Sequence, residues 1–455
     1  MTAIGIGDNL MNNRNFRFGT DGLRGEVGTE LLATDAFILG AGLSEVHGGR
    51  LRVCIGMDTR LSSPMLAAAL ISGLLASGSE VHTLGVLPTP AIAYLTDRLS
   101  FDIGIAVTAS HNPFSDNGIK LFRRGGEKCS DSIERRLEEY LSGKKTPKTV
   151  SGGEIGRIYN GESAVSLYLD FLTSRFSGVG TGISVGLDAA NGAAYKTAKS
   201  ILEYVGCKVT AMGTNPNGLN INAKVGALHT EALASLVKRD GLDIGFALDG
   251  DGDRCIAVTS RGEIVDGDGI LYAMAKYKKS KGVLKNDGVA VTVTSNGALL
   301  CALGEMDIRT FITPVGDKEV SARMKREDIS LGAESSGHII DADIFPIGDG
   351  TATALSILSI ISDTGNSLSS LIEGFSPFPS VCRAVAVKNK ESVLLSDSVL
   401  EAKRRAEALI GDDGRILLRA SGTEEKIRIL AECSDHETCK MAAEIIEKAV
   451  LLASY

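Results

Sequence analysis

The sequence predicts an α/β protein built of several units and closed by an α+β module of different pattern. Three observations carry this. The first is length, since 455 residues exceed what one ordinary hydrophobic core organises. The second is the alternation of short apolar strands with helical stretches, which reads as βαβ units around a mixed, largely parallel sheet. The third is a change of pattern after the Pro-punctuated stretch Gly374-Phe375-Ser376-Pro377-Phe378-Pro379.

The elements follow in order. Residues 1–15 are polar and Asn-rich with no apolar h-region, so a flexible leader is expected there rather than a secretion signal. Leu51–Met57 is strand-like, and Pro64 to Ser77 reads as a helix with Ser63 as its cap and Pro64 in its first turn. A strand from Glu80 to Leu84, a helix around Pro90 to Asp97 and a strand from Asp102 to Val107 continue the series. This first unit, 16–150, ends in the polar linker Lys144 to Gly156. A second unit, 157–258, carries the apolar strands Ile183–Asp188 and Ile244–Leu248. A third, 259–372, begins near Ser260-Arg261-Gly262 and holds Val289–Thr294, followed by the cap region Ser295-Asn296-Gly297. The segments Val53–Asp58, Ile183–Asp188 and Val289–Thr294 share a faint likeness. The last unit, 380–455, reads as a strand, a long helix from Glu391 to Ile410, two short strands around Arg419 and Arg428, and a helix from Asp435.

Composition narrows the function classes. At 44% hydrophobic and 23% charged the chain is an ordinary globular protein. A net charge of −8 argues against nucleic acid as a general partner. No segment approaches the ~20 apolar residues a membrane helix requires. The 8 cysteines are scattered without a C-x-x-C pair, which predicts reduced packing thiols and a cytoplasmic location.

Two stretches carry chemistry. Thr108-Ala109-Ser110-His111-Asn112-Pro113-Phe114-Ser115-Asp116-Asn117-Gly118-Ile119-Lys120 follows an apolar strand and sets a hydroxyl, an imidazole and an ammonium in one loop broken by Pro113 and Gly118. Asp249-Gly250-Asp251-Gly252-Asp253-Arg254 follows a second such strand. Its three carboxylates repel one another unless a cation compensates, and with a phosphate-carrying serine they suit phosphoryl transfer. A serine hydrolase is disfavoured because Ser110 lacks the glycines of a G-x-S-x-G elbow. A calcium loop is disfavoured because Arg254 and Ser260 occupy its glycine and glutamate positions.

Five motifs spread over nearly the whole chain resemble the α-D-phosphohexomutase family. They are Phe18-Gly19-Thr20-Asp21-Gly22-Leu23-Arg24-Gly25, the Ser110 loop, the Asp249 loop, Ala333-Glu334-Ser335-Ser336-Gly337-His338 and Arg419-Ala420-Ser421-Gly422-Thr423. The resemblance implies four domains, three related mixed α/β sandwich domains plus a C-terminal α+β domain with an antiparallel sheet, around an active site in the central cleft. It implies that a phosphorylated Ser110 donates its phosphate to form a bisphosphate and then recovers the other phosphate. Mg²⁺ would be held by the Ser110 phosphate with Asp249, Asp251 and Asp253. Arg24, Lys120 and Arg254 match the cations around the transferred group. Lys120 is expected to assist proton transfer, with its pKa lowered by Arg24 and partial burial, and His111 to orient or share that role. Arg60 is expected to support them.

The same resemblance assigns Glu334, Ser336 and His338 to the sugar and Arg419, Ser421, Gly422, Thr423 and Arg428 to the distal phosphate. A hinge before Gly374 would close the last domain over the sugar. The implied partner is a small sugar phosphate, with a hexosamine or glucose 1,6-bisphosphate as activator, and a homodimer is compatible with it. Val315-Gly316-Asp317 favours the branch that interconverts glucosamine 6-phosphate and glucosamine 1-phosphate. Phosphomannomutase/phosphoglucomutase activity is the alternative, and a metal-dependent sugar phosphatase or a sugar-phosphate-binding protein a more distant one. Glu425, Ser335 and Lys318 depart from the family's usual pattern.

Overall fold

The computed structural model describes residues 17–19, 21–411, 414–421 and 425–454. The expected leader, Thr20 of the first motif, and Gly422 and Thr423 of the distal-phosphate motif therefore lie outside the described residues. Among the described residues the strands form four sheets.

The first sheet contains β1 (Leu23–Glu26), β2 (Arg52–Met57), β3 (Glu80–Val86), β4 (Ile103–Val107), β5 (Asp116–Arg123) and β6 (Ile158–Asn160), in the order β1-β5-β4-β2-β3-β6. The second contains β7 (Ser184–Asp188), β8 (Lys208–Met212), β9 (Ile244–Leu248), β10 (Cys255–Thr259) and β11 (Ile264–Val265), ordered β11-β10-β9-β7-β8. The third contains β12 (Gly288–Thr292), β13 (Arg309–Thr313), β14 (Leu331–Ala333) and β15 (Ile339–Asp341), ordered β13-β12-β14-β15. The fourth is antiparallel throughout and contains β16 (Ser380–Ala386), β17 (Arg415–Ala420) and β18 (Lys426–Glu432), ordered β16-β18-β17.

The first three sheets repeat one plan. The faintly similar segments become β2, β7 and β12, each lying between two parallel neighbours. One of those neighbours, β4, β9 or β14, turns back through a loop into an antiparallel strand. That loop holds Ser110 in the first sheet, the aspartates in the second and Glu334 in the third. β4 and β9 are buried along their whole length, as strands covered on both faces must be. Loops at the carboxyl ends of such strands are where α/β sheets place their ligands.

Small residues let the layers close. The helices Ala33–His47 and Ser63–Ala76 cross at Gly40 and Gly73, where an added Cβ would lie 2.3 Å from the Leu70 carbonyl and 2.1 Å from the Phe37 carbonyl. A continuous apolar core runs from Cys54 to Leu371 and joins the first three units. The fourth has its own core, from Val381 to Val450. None of the described helices is long and apolar enough to cross a membrane.

Several local expectations are corrected. Ser63 lies inside its helix, and its hydroxyl donates to Asp58 Oδ1 at 2.7 Å instead of capping. The expected helix from Glu391 to Ile410 is two helices, Lys390–Leu394 and Asp397–Ile410, because Ser396 is extended (φ −68°, ψ 140°) and its hydroxyl bonds back to the Val393 carbonyl. Lys120 stands on β5 and not in a loop, because antiparallel pairing with β4 begins at Ile119. β6 adds to the first sheet although it follows the linker, and β11 pairs within the second.

Candidate active site

Ser110 leaves β4 in a left-handed conformation (φ 52°), which a non-glycine residue adopts only when its surroundings hold it there. Arg60 supplies that restraint. Its buried guanidinium reaches the carbonyls of Ser110 (2.9 Å), Asn112 (2.8 Å), Pro113 and Asp116 (2.9 Å), and its Nε donates to Asp58 Oδ2 at 2.8 Å. Asn222 Nδ2, from the second unit, donates to the Ser110 carbonyl at 2.8 Å. A Cβ on Gly250 would lie 2.4 Å from that same oxygen, so glycine is required for the two loops to meet.

The loops meet chemically as well. Ser110 Oγ donates to Asp249 Oδ2 at 2.6 Å. One carboxylate oxygen from each of Asp249, Asp251 and Asp253 lies within 4.8 Å of the others, and all three residues are buried. Asp251 Oδ1 and Asp253 Oδ1 are buried with no hydrogen-bond partner. Oxygen ligands converging from three carboxylates, two of them with an unmet acceptor, fit a hard divalent cation. Burial and the neighbouring charges of Asp253 and Asp251 raise the pKa of Asp249 well above the carboxylate range, the strain such a cation relieves. Thr89 steadies the loop, its N–H donating to the Asp251 carbonyl (2.9 Å) and its hydroxyl to Asp251 Oδ2 (2.6 Å).

Lys120 corrects the expectation set for it. Its Nζ lies 2.7 Å from Asp251, 3.0 Å from Asp253 and 3.0 Å from Asp21. Burial opposes its charge, but Asp21, Asp251 and Asp253 outweigh both burial and Arg24, and the pKa rises well above the lysine value. It therefore stands as an ammonium. His111 is the opposite case, since burial and then Arg254 and Arg24 lower it to about 3 and leave a neutral imidazole.

Arg24 lies on β1 opposite Gly118, pairs with Asp21 and reaches Asn112 Oδ1 at 3.5 Å. Arg254 Nε lies 3.9 Å from both Asp249 and Asp253. Glu334 accepts from the Gly316 N–H at 3.0 Å, and burial raises its pKa. His338 faces Asp253 (3.6 Å) and Asp317 (3.7 Å). Burial works against its charge, but Asp253, Asp317 and Glu334 carry it up to about 9. Ser336 is partly buried in the turn between Glu334 and His338.

The structure thus gathers Ser110, His111, Lys120, Arg24, the three aspartates, Arg254, Glu334 and His338 from three units. Arg419, Ser421 and Arg428 stand on or beside the fourth sheet, where Arg419 on β17 is directly opposite Arg428 on β18. Burial and then Arg428 lower the Arg419 pKa. Sequence reasoning missed Asp21 as a partner of Lys120, although it sits inside a quoted motif. It missed Asn222 and Thr89, whose stretches carry no comparable signal.

Comparison with known proteins matches this arrangement along the chain. The phosphoglucomutase/phosphomannomutase α/β/α domains I, II and III match residues 15–148, 166–262 and 266–378, and the C-terminal domain of the same proteins matches residues 384–449. A phosphoglucosamine mutase of Shouchella clausii is 42% identical over 436 residues, covering 95% of this chain and 98% of its own. One of Desulforamulus reducens is 43% identical over 422 residues, covering 92% and 95%. The crystal structure of a phosphoglucomutase/phosphomannomutase family protein from Burkholderia thailandensis superposes with a TM-score of 0.80 at 24% identity, covering 98% of each chain. An N-acetylphosphoglucosamine mutase from Aspergillus fumigatus, solved with GlcNAc-6P and magnesium, superposes with a TM-score of 0.68 at 18% identity, covering 97% of this chain and 96% of its own.

Proposed function

The chain belongs to the phosphoglucomutase/phosphomannomutase family, whose activity is intramolecular phosphoryl transfer, and from that premise we propose that it interconverts glucosamine 6-phosphate and glucosamine 1-phosphate. The observation that carries the mechanism is the 2.6 Å hydrogen bond from Ser110 Oγ to Asp249, which seats this hydroxyl on the carboxylate triad. The choice of glucosamine rests on full-length relatives of that name at 42% and 43% identity.

Phosphorylated Ser110 gives its phosphoryl group to the free hydroxyl of the sugar monophosphate. The P–Oγ bond breaks, a P–O bond to the sugar forms, and a 1,6-bisphosphate results. After the sugar turns over, Ser110 Oγ takes the other phosphate and the product leaves. Asp249, Asp251 and Asp253 would hold Mg²⁺, which supplies charge neutralisation for the transferring group when bound. Lys120, as an ammonium, donates to a phosphoryl oxygen or to the departing Ser110 Oγ, while the neutral ring of His111 orients the sugar hydroxyl. Arg24 and Arg254 line the same space and complete the positive wall. Glu334 and Ser336 read vicinal hydroxyls, and protonated His338 donates beside them. Arg419 and Arg428, with Ser421, Gly422 and Thr423, take the distal phosphate, a dianion that guanidinium groups and hydroxyls suit.

Ser110→Ala tests the phosphoserine route. The variant is expected to lose turnover while its affinity for glucosamine 6-phosphate, read by calorimetry, stays within about threefold of the parent, because Ser110 adds little to ground-state binding. Undiminished turnover would overturn the route.

A further inference from the structure

One basic residue outside the assigned set occupies a place that the reaction uses. Lys128 follows β5 and forms an isolated bridge with Phe122, which turns its side chain back toward the site. Its Nζ lies 2.6 Å from Asp21 Oδ1 and 2.5 Å from Asp317 Oδ2, and its side chain is 13% exposed. Asp21 belongs to the first unit and Asp317 to the third, where it starts the helix Asp317–Arg326.

Followed outward, those two contacts close on themselves. Asp21 holds Lys120 at 3.0 Å, and Lys120 holds Asp253 at 3.0 Å. Asp253 faces His338 Nδ1 at 3.6 Å, and His338 Nε2 faces Asp317 at 3.7 Å. Lys120, Asp21, Lys128, Asp317, His338 and Asp253 therefore make a closed circuit of neighbours drawn from three units. Beside it, Lys318 binds both oxygens of Glu134 at 2.7 Å, a second bridge from the third unit to the first. Lys318 thus uses its charge between units.

We propose that Lys128 is a positioning residue of the reaction: by joining Asp21 to Asp317 it seats the sugar-reading loop of the third unit against the phosphoryl-transfer lysine of the first. The inference rests on the mutase reading given above. Lys128 acts through Asp21, which aims Lys120, and through Asp317, whose neighbour Gly316 donates to Glu334 of the sugar-reading loop at 3.0 Å. A carboxylate left at either end without its ammonium would turn to other cations in the cleft and carry its neighbour with it.

The test compares Lys128→Met, Lys128→Gln, Lys128→Arg, Asp317→Asn and the Lys128→Met/Asp317→Asn double variant. Each is read by kcat and KM and by hydrogen exchange of the amides in 316–320 and 334–338. Lys128→Met is expected to lower kcat by about 100-fold with KM changed less than about threefold, the signature of mispositioned chemistry. Lys128→Arg should recover to within about fivefold, and the double variant should be no worse than the poorer single one, since neighbours in one network are not additive. Exchange should rise in both segments for Lys128→Met and Lys128→Gln and stay at the parent level in 297–304. If Lys128→Met does not fold, Lys128→Gln carries the same expectation. Parental kcat in both, or additive losses in the double variant, would overturn the proposal, as would raised exchange with parental kcat. A parent protein that turns over no hexose phosphate would overturn the mutase reading instead, while the exchange data would still decide whether Lys128 couples the two units.

Discussion

Arg60 uses all of its guanidinium donors on one loop and one carboxylate. Ser110 must sit at positive φ to point its hydroxyl at Asp249, and the carbonyls bonded by Arg60 are those of the turn that creates this conformation. Arg60→Met is therefore expected to cost about 3–5 kcal/mol of stability, because Asp58 is left as a buried uncompensated charge. It should also lower kcat by about 100-fold through a misplaced Ser110. Denaturant melts and steady-state kinetics check both. The sequence places Arg60 near the site, in Asp58-Thr59-Arg60, but its partners lie 50 to 56 residues away and become neighbours only when β2 and β4 pair. Lys120 teaches the same lesson with the opposite sign. Its proximity to Arg24 is legible in the motifs, whereas of the three carboxylates that outweigh Arg24 only Asp21 shares that motif, and Asp251 and Asp253 come from the second unit.

Strands with strong apolar runs, such as Ile103–Val107 and Ile244–Leu248, are legible because full burial leaves a continuous hydrophobic signature. β5 is not, since Asp116-Asn117-Gly118 reads as a turn and becomes strand only through pairing with β1, the pairing with β4 beginning at Ile119. The helix Gly297–Gly304 shows what an element end can do beyond capping. Asn296 Oδ1 accepts from Ala298 N–H and from Phe378 N–H, each at 3.0 Å, and its own N–H donates to Asp268 Oδ2 at 2.7 Å. Burial, then Asp266, pushes the Asp268 carboxyl up to about 7. Its folded pKa exceeds its unfolded one, so the native state keeps a proton that the unfolded chain releases. Stability from this group is greatest below about pH 4, falls as pH rises, and is fully lost above about pH 7. Asp268→Asn retains an acceptor for Asn296 and never ionises. It should therefore remove part of the fall in Tm between pH 5 and 7.5, and parallel Tm curves for the two proteins would contradict this.

At the scale of the whole molecule, one apolar core unites three units while the fourth keeps its own. Among the described residues, polar groups join the fourth to the third. Asn296 Nδ2 donates to the Phe378 carbonyl at 3.0 Å, the Gly297 N–H donates to Glu432 at 2.6 Å, and Arg415 reaches the Ser295 carbonyl. A body with its own core is suited to swing, and on the mutase reading proposed above that motion would close Arg419 over a bound phosphate and exclude water. Asn296→Ala removes both bonds to Phe378 and should raise KM for the sugar phosphate several-fold while leaving kcat closer to the parent. The repeat of three sheets is faintly legible in Val53–Asp58, Ile183–Asp188 and Val289–Thr294. That each repeat would bring its loop to a single point is a property of the assembled sheets and of no single segment. The central claim, a phosphoserine mutase acting on glucosamine phosphate, is tested most directly by ³¹P NMR of the bisphosphate-primed protein with Mg²⁺ and, separately, the 6-phosphates of glucosamine, glucose and mannose. The account predicts a 1-phosphate signal that grows fastest with glucosamine; inorganic phosphate as the sole product, or faster conversion of glucose or mannose, would contradict it.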